Sequence, residues 1–192
     1  MKRTRIVLPG APGAGKSTAL GNFAERLTPR PICIPEAARY VKHEARLLPP
    51  RDHKGARVYE GGMSRIRLAT EDMAAVQESE ASRIFFDRGI PDGACYLPGG
   101  LMELCELLEM TWEQMFDRYD LVLMFALPRR DIYDRFRANN PSRHETYEEA
   151  RELDARSRRI WSGHPRLHVI EDGPSWESRF ERALDIVQRA AA

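Results

Sequence analysis

The sequence predicts an α/β fold: an open parallel sheet of five strands, wound on both faces by helices. Three observations predict it. Short apolar runs alternate with helical patterns along the 192 residues, the order expected of parallel strands joined by crossover helices. The run over residues 121–127 is almost wholly apolar, as a central strand covered on both faces requires. Polar motifs stand at the carboxyl ends of the strands, where open sheets of this kind hold their ligands.

The first strand falls at residues 5–8 and runs into a glycine-rich turn. A helix follows over about residues 16–27, stopped by Thr28-Pro29-Arg30-Pro31, because proline lacks the donor a helix needs. Ile32-Cys33-Ile34 is the second strand and ends at Pro35-Glu36. Residues 41–59 are charged and broken by Pro49-Pro50-Arg51-Asp52, which predicts a short helix and a mobile loop. Gly61-Gly62 then opens a helix whose apolar or small positions are Met63, Ile66, Ala69, Met73 and Val76, at amphipathic spacing. Arg83-Ile84-Phe85-Phe86 is the third strand, ending in Asp87-Arg88-Gly89.

Leu101, Leu104, Cys105, Leu108, Trp112, Met115 and Phe116 form another helical stripe with a break near Thr111. Stripes of this kind mostly cover the protein's own sheet, the alternative being a dimer face. Residues 121–127 are the fourth strand, ended by Pro128. Ser142 with Glu145, or Thr146 with Glu149, forms a capping box for the next helix, which continues through Leu153 to Trp161. Residues 167–170 are the fifth strand. Asp172-Gly173-Pro174 starts a last helix with Trp176, Phe180, Leu184 and Val187 on one face. No repeat or low-complexity linker interrupts the chain, so one domain over residues 1–192 is expected.

Composition narrows the function classes. Apolar residues make up 42%, enough for a core, and the net charge is +1. A bulk polyanion or a strongly basic nucleic-acid binder is excluded, although a local basic cleft is not. Lysine occurs only at Lys2, Lys16, Lys42 and Lys54, so positive charge rests on arginine, a planar group suited to bidentate phosphate contacts. Cys33, Cys95 and Cys105 form no C-x-x-C pair; reduced thiols in a cytoplasmic protein are expected. The apolar stretch after Lys2, Arg3 and Arg5 is too short for a signal peptide, and no membrane span is expected.

Gly10-Ala11-Pro12-Gly13-Ala14-Gly15-Lys16-Ser17 matches G-x-x-x-x-G-K-[ST] between a predicted strand and a predicted helix. The glycines allow successive backbone N–H groups to converge on an anion. The helix start adds its positive dipole end. Lys16 supplies a charge for the outer phosphates, and the Ser17 hydroxyl is a magnesium ligand. ATP and Mg2+ are therefore the expected cofactors. The nucleotide-binding set is Gly10, Pro12, Gly13, Ala14, Gly15, Lys16, Ser17 and Thr18, with Arg135 from the later arginine segment.

Asp87 ends an apolar strand and is the second candidate magnesium ligand. The next residue is Arg88. Many ATP-hydrolysing machines carry an acid there to activate water. A cation suits an anion instead and favours transfer to an acceptor, the structural alternative being an ion pair. Glu36 ends the second strand, so it faces the same cleft. It can act as general base toward an acceptor hydroxyl, or pair with Arg39. Asp87 can take the base role instead.

Arg129, Arg130, Arg135, Arg137, Arg143 and His144 follow the fourth strand. Asp131 with Arg135, and Arg130 with Asp134, are spaced for helical ion pairs on a solvated face. Arg137 and Arg143 flank the turn signal Asn139-Asn140-Pro141. A hinged arginine lid closing over a triphosphate would neutralise charge and exclude water.

Four runs carry a resemblance: Pro12-Gly13-Ala14-Gly15-Lys16-Ser17, then Pro35-Glu36-Ala37-Ala38-Arg39, then Phe85 to Asp92, then Arg143 to Ala150. In that order they resemble the AAA_28-type predicted ATPases. These are small P-loop proteins similar to the nicotinamide riboside kinase domain and to nucleoside and nucleotide kinases. The resemblance covers nearly the whole chain. It implies a P-loop NTPase three-layer sandwich with strand order 2-3-1-4-5 and an arginine-rich lid at about residues 129–146. It implies that Glu36 stands where the acceptor-binding base of nucleoside kinases stands, and that Asp87-Arg88 match their acid–arginine pair. Arg137 and Arg143 match lid arginines, and residues 172–176 fall where the adenine base is held.

The catalytic candidates are thus Lys16, Glu36, Asp87, Arg88, Arg137 and Arg143. The expected activity is ATP-dependent transfer of the γ-phosphoryl group to a hydroxyl of a small molecule: a nucleoside, a nucleotide precursor or an antibiotic. An NTP-binding regulator with slow hydrolysis is the second reading, and a nucleic-acid end kinase the third. No [NT]-K-x-D guanine-reading motif occurs. The expected partner is a small-molecule acceptor, in a monomer or homodimer.

Overall fold

The computed structural model describes residues 3–50, 52–138 and 145–190. Five strands form one sheet: β1 (Thr4–Leu8), β2 (Ile32–Ile34), β3 (Arg83–Asp87), β4 (Leu121–Phe125) and β5 (Leu167–Ile170). Their order is β2-β3-β1-β4-β5, and every pairing is parallel. The register sets Leu8 beside Asp87, so the phosphate loop and the acidic strand end are neighbours from the outset.

Burial explains the sheet. β4 is buried throughout, and its side chains alternate between two cores. Leu121, Leu123 and Phe125 pack with Ile6, Leu8 and Phe85 under α1 (Lys16–Arg26) and α8 (Trp176–Arg189). Val122 and Met124 pack on the other face with Phe116 and Trp161. Those two residues come from α5 (Trp112–Phe116) and α7 (Tyr147–Trp161). Aromatic stacking ties α1 to the sheet, Phe23 on Phe85 at 4.5 Å, and joins α5 to α7, Phe116 on Trp161 at 5.5 Å. The result is the three-layer sandwich and strand order that the resemblance implied.

Three local expectations are corrected. β4 ends at Phe125 rather than residue 127. Residues 41–59 are not mainly loop: after α2 (Ala37–Arg39) comes a π-helical turn (Tyr40–Glu44), and α3 already begins at His53. The Asp52 carboxylate accepts from Gly55 N–H and caps it, so Gly61-Gly62 lie inside the helix. The expected apolar face of α3 holds only at its start. Met63 is buried and Ile66 packs beside it, but Met73 and Val76 are exposed, and the buried side continues through Ser64, Arg67, Glu71 and Ala74.

Two other expectations hold. The stripe at 101–116 breaks near Thr111 into α4 (Gly100–Leu108) and α5. Of the two possible capping boxes, Thr146 with Glu149 starts α7; Ser142 lies outside the described residues. The three cysteines are free thiols. No helix among the described residues is long and apolar enough to cross a membrane.

Candidate active site

The loop after β1 turns on three glycines with positive φ: Gly10 (121°), Gly13 (83°) and Gly15 (100°). Gly15 has a second reason to lack a side chain. A Cβ there would lie 2.5 Å from the Trp176 ring, which stacks on Phe125 at 5.6 Å. The tryptophan at the start of α8 therefore buttresses the loop. α1 starts at Gly15 without a side-chain cap, whereas Asp52, Thr146 and Ser175 cap α3, α7 and α8. The first amides of α1 have no helical acceptor, which suits an anion.

The Lys16 ammonium is buried and donates to the carbonyls of Gly10 (3.0 Å) and Ala11 (2.7 Å). Burial, and then the charge of Arg88, lowers its pKa to about 8. The Ser17 hydroxyl donates to Asp87 Oδ2 at 2.7 Å. Asp87 Oδ1 is buried without a partner among the described residues, and burial raises the carboxyl above the usual range. A hydroxyl beside a carboxylate with an unspent oxygen fits a hard cation that keeps most of its water. Among the described residues no group of three His, Cys, Asp or Glu side chains forms a self-contained metal cage, so the pair fits only a cation whose remaining ligands come from water and phosphate.

Arg88 occupies the left-handed region at φ 73°. Its N–H donates to Leu8 C=O at 3.1 Å. Its guanidinium donates to Gly10 C=O at 2.9 Å and to Glu36 Oε1 at 2.6 Å. Glu36 thus pairs with Arg88, not with Arg39. Burial alone would raise the Glu36 carboxyl; Arg88, Lys16 and Arg67 outweigh it and hold the pKa at about 2.

A cavity of about 560 Å³ opens over these groups. Pro12, Gly13, Gly15, Lys16, Ser17 and Thr18 line it, with Glu36, Asp87 and Arg88. Gly10 and Ala14 of the loop are not among the lining residues; Gly10 contributes its carbonyl to Lys16 and Arg88. The arginine segment forms α6 (Arg130–Ala138). Arg137 influences Glu149 at the cavity wall, whose carboxyl is lowered first by hydrogen bonds from Thr146. Arg135 is exposed on α6 and is not among the lining residues. Arg130 pairs with Glu148, not with Asp134. Arg143 and His144 lie outside the described residues.

Tyr59, Glu60, Met63 and Arg67 from α3 also line the cavity, with Tyr96 and Arg156. Tyr59, Glu60 and Met63 fall in the stretch 41–63 expected to bear the acceptor; Arg67, Tyr96 and Arg156 lie outside it. No motif marks them. The only available signal was the spacing of Glu60, Arg67 and Glu71 on one helical face.

The fold and this phosphate loop define a P-loop protein of kinase-like topology. The family model of AAA_28, described as an AAA domain, matches residues 5–179, and the chain belongs to that family. Solved structures of the same fold include the NadR protein in complex with NR. Its TM-score is 0.75 at 18% identity, covering 99% of this chain and 52% of that one. The NadR protein in complex with NAD and AMP-PNP gives 0.71 at 17%, covering 99% and 50%. Thymidylate kinase from Ehrlichia chaffeensis gives 0.64 at 16%, covering 98% and 100%. The chain thus spans about half the length of the NadR structures, and at these identities the likeness is one of fold. No curated protein matches the sequence.

Proposed function

We propose that the chain is an ATP-dependent phosphotransferase that moves the γ-phosphoryl group to a hydroxyl of a small molecule. The observation that carries the reading is the cavity's extent. Its lining takes in the phosphate loop, Glu36, Asp87 and Arg88 and also Tyr59, Glu60, Met63 and Arg67 of α3, leaving room for a second reactant. The neighbours support it: one NadR structure holds AMP-PNP and another holds NR, and the third is a kinase.

In this reading the loop amides and the dipole of α1 hold the triphosphate, and Lys16 turns its ammonium from the loop carbonyls to the outer phosphates. Ser17 and Asp87 would hold Mg2+, which would supply charge neutralisation for the phosphate groups. Arg88 sits in place of a water-activating acid and faces the transferring group. Glu36 accepts a hydrogen bond from the acceptor hydroxyl and aims its oxygen at phosphorus. The hydroxyl oxygen forms the new P–O bond as the bond to the leaving diphosphate breaks, and its proton passes to Glu36 or to solvent. A carboxyl held near a pKa of about 2 is a weak base, so Glu36 orients the hydroxyl first and takes the proton late. Arg137, Arg143 and Arg135 are assigned to a lid, as the resemblance implies; α6 reaches the cavity wall through Tyr133, whose hydroxyl donates to the Glu145 carbonyl.

The experiment follows labelled ATP with Mg2+ in the presence and absence of a panel of nucleosides and metabolites, with Lys16→Ala as control. Acceptor-dependent consumption that Lys16→Ala abolishes, with the fold retained, supports the transferase. Tight nucleotide binding with no acceptor dependence would favour a regulator instead.

A further inference from the structure

Consecutive amides in the turn after β3 are each tied down by a different part of the fold. Arg88 N–H donates to Leu8 C=O of β1 at 3.1 Å. Gly89 N–H donates to Asp92 Oδ2 at 2.8 Å, at the start of the short 3-10 helix Ile90–Tyr96. Ile90 N–H donates to the Tyr119 hydroxyl at 2.8 Å, from the segment between α5 and β4.

The two side-chain acceptors are themselves fixed. Asp92 is fully buried, and its Oδ1 accepts from Trp161 Nε1 at 3.4 Å. Tyr119 is also buried. Its hydroxyl gives its proton to Glu71 Oε1 at 2.6 Å, which leaves a lone pair for Ile90 N–H. Gly89 completes the fit, because a Cβ there would stand 2.8 Å from the Tyr119 hydroxyl and 3.0 Å from Val7. Neither Asp92 nor Tyr119 is among the lining residues of the cavity, so neither meets a reactant there.

What the turn carries is Arg88, at φ 73°. A side chain in that region persists only where its surroundings over-determine the backbone. The contacts of the guanidinium with Gly10 C=O and Glu36 restrain its tip; the direction in which the side chain leaves the backbone is set by the pinned amides.

Resting on the transferase reading above, we propose that Asp92 and Tyr119 are positioning residues for Arg88. They hold the amides of Gly89 and Ile90, keep Arg88 in its left-handed conformation, and so aim its guanidinium at the transferring phosphoryl group. Glu71 supports them from behind by orienting the Tyr119 hydroxyl.

The test uses the full chain, with labelled ATP, Mg2+ and the panel of nucleosides and metabolites for turnover, and side-chain arginine NMR for geometry. The Arg88 Nε–H, bonded to Glu36 at 2.6 Å, should exchange slowly with solvent; its signal is the one lost in Arg88→Lys. Tyr119→Phe and Asp92→Ala should each speed that exchange roughly tenfold or more. They should lower kcat about ten- to hundredfold while KM for ATP stays constant. Asp92→Asn, whose amide oxygen can still accept from Gly89 N–H, should keep most of the turnover. Either residue's variants suffice if the other's fail to fold. A lowered urea midpoint with unchanged kcat and unchanged Arg88 Nε–H exchange would mean a purely structural role; it would overturn the inference and leave the transferase standing. No acceptor-dependent turnover in the unaltered protein would overturn the transferase, and with it the part of Asp92 and Tyr119 in transfer.

Discussion

Arg88 concentrates the chemistry at the residue scale. A non-glycine residue in the left-handed region costs on the order of 1–3 kcal/mol. Here Leu8 C=O, Gly10 C=O and Glu36 hold it there. The strain aims the guanidinium back over the phosphate loop. The Glu36 partner carries a pH signature. Its folded pKa, about 2, lies below the ordinary value of 4.5. A depressed carboxyl contributes stability that is fully present above pH 4.5 and lost as pH falls toward 2. Urea midpoints of the protein and of Glu36→Gln should therefore differ most at neutral pH and converge between pH 4.5 and 2. A gap that stays constant across that range would mean that the charge of Glu36 does not stabilise the fold. The individual residues here were legible in the sequence, because each ends a strand. Their pairing was not: Glu36 is closer in sequence to Arg39, and only the β2–β3 pairing brings it to Arg88.

At the scale of elements, α3 shows where sequence reading fails. Its buried side is polar at Glu60, Ser64, Arg67 and Glu71, so hydrophobic periodicity finds the buried Met63 but runs on to the solvent at Met73 and Val76. The polar face has two uses. Its start lines the cavity, and its end anchors a network. Glu71 accepts from Arg5 (2.8 Å), Arg118 (2.8 Å) and the Tyr119 hydroxyl (2.6 Å). The same hydroxyl accepts from Ile90 N–H at 2.8 Å, just after the Asp87-Arg88-Gly89 turn. Glu71→Ala leaves Arg5 and the Tyr119 hydroxyl without this acceptor, while Arg118 keeps Asp72, and should cost about 1–3 kcal/mol in urea unfolding. A loss below about 1 kcal/mol would show the network to be incidental. For α6, nucleotide should slow tryptic cleavage after Arg135 and Arg137 as the arginine segment closes. Equal rates with and without nucleotide would count against a lid.

At the scale of the whole molecule, strand order does most of the positioning. β1 lies between β3 and β4, so the phosphate loop emerges at the centre of the sheet beside Asp87. The neighbouring β2 end brings Glu36 in from the side. This was legible in the sequence because the loop motif and the apolar strands are local signals. The lining at Arg67, Tyr96 and Arg156 was not, because α3, Tyr96 and α7 come together there by packing alone. In the reading proposed above this arrangement transfers phosphate to a hydroxyl rather than to water. The most direct measurement is the destination of the label in a single turnover with γ-labelled ATP, Mg2+ and an excess of hydroxylated small-molecule acceptors. Label is expected in a phosphorylated acceptor, formed faster than inorganic phosphate. Label appearing only as inorganic phosphate, at a rate indifferent to every acceptor, would contradict it.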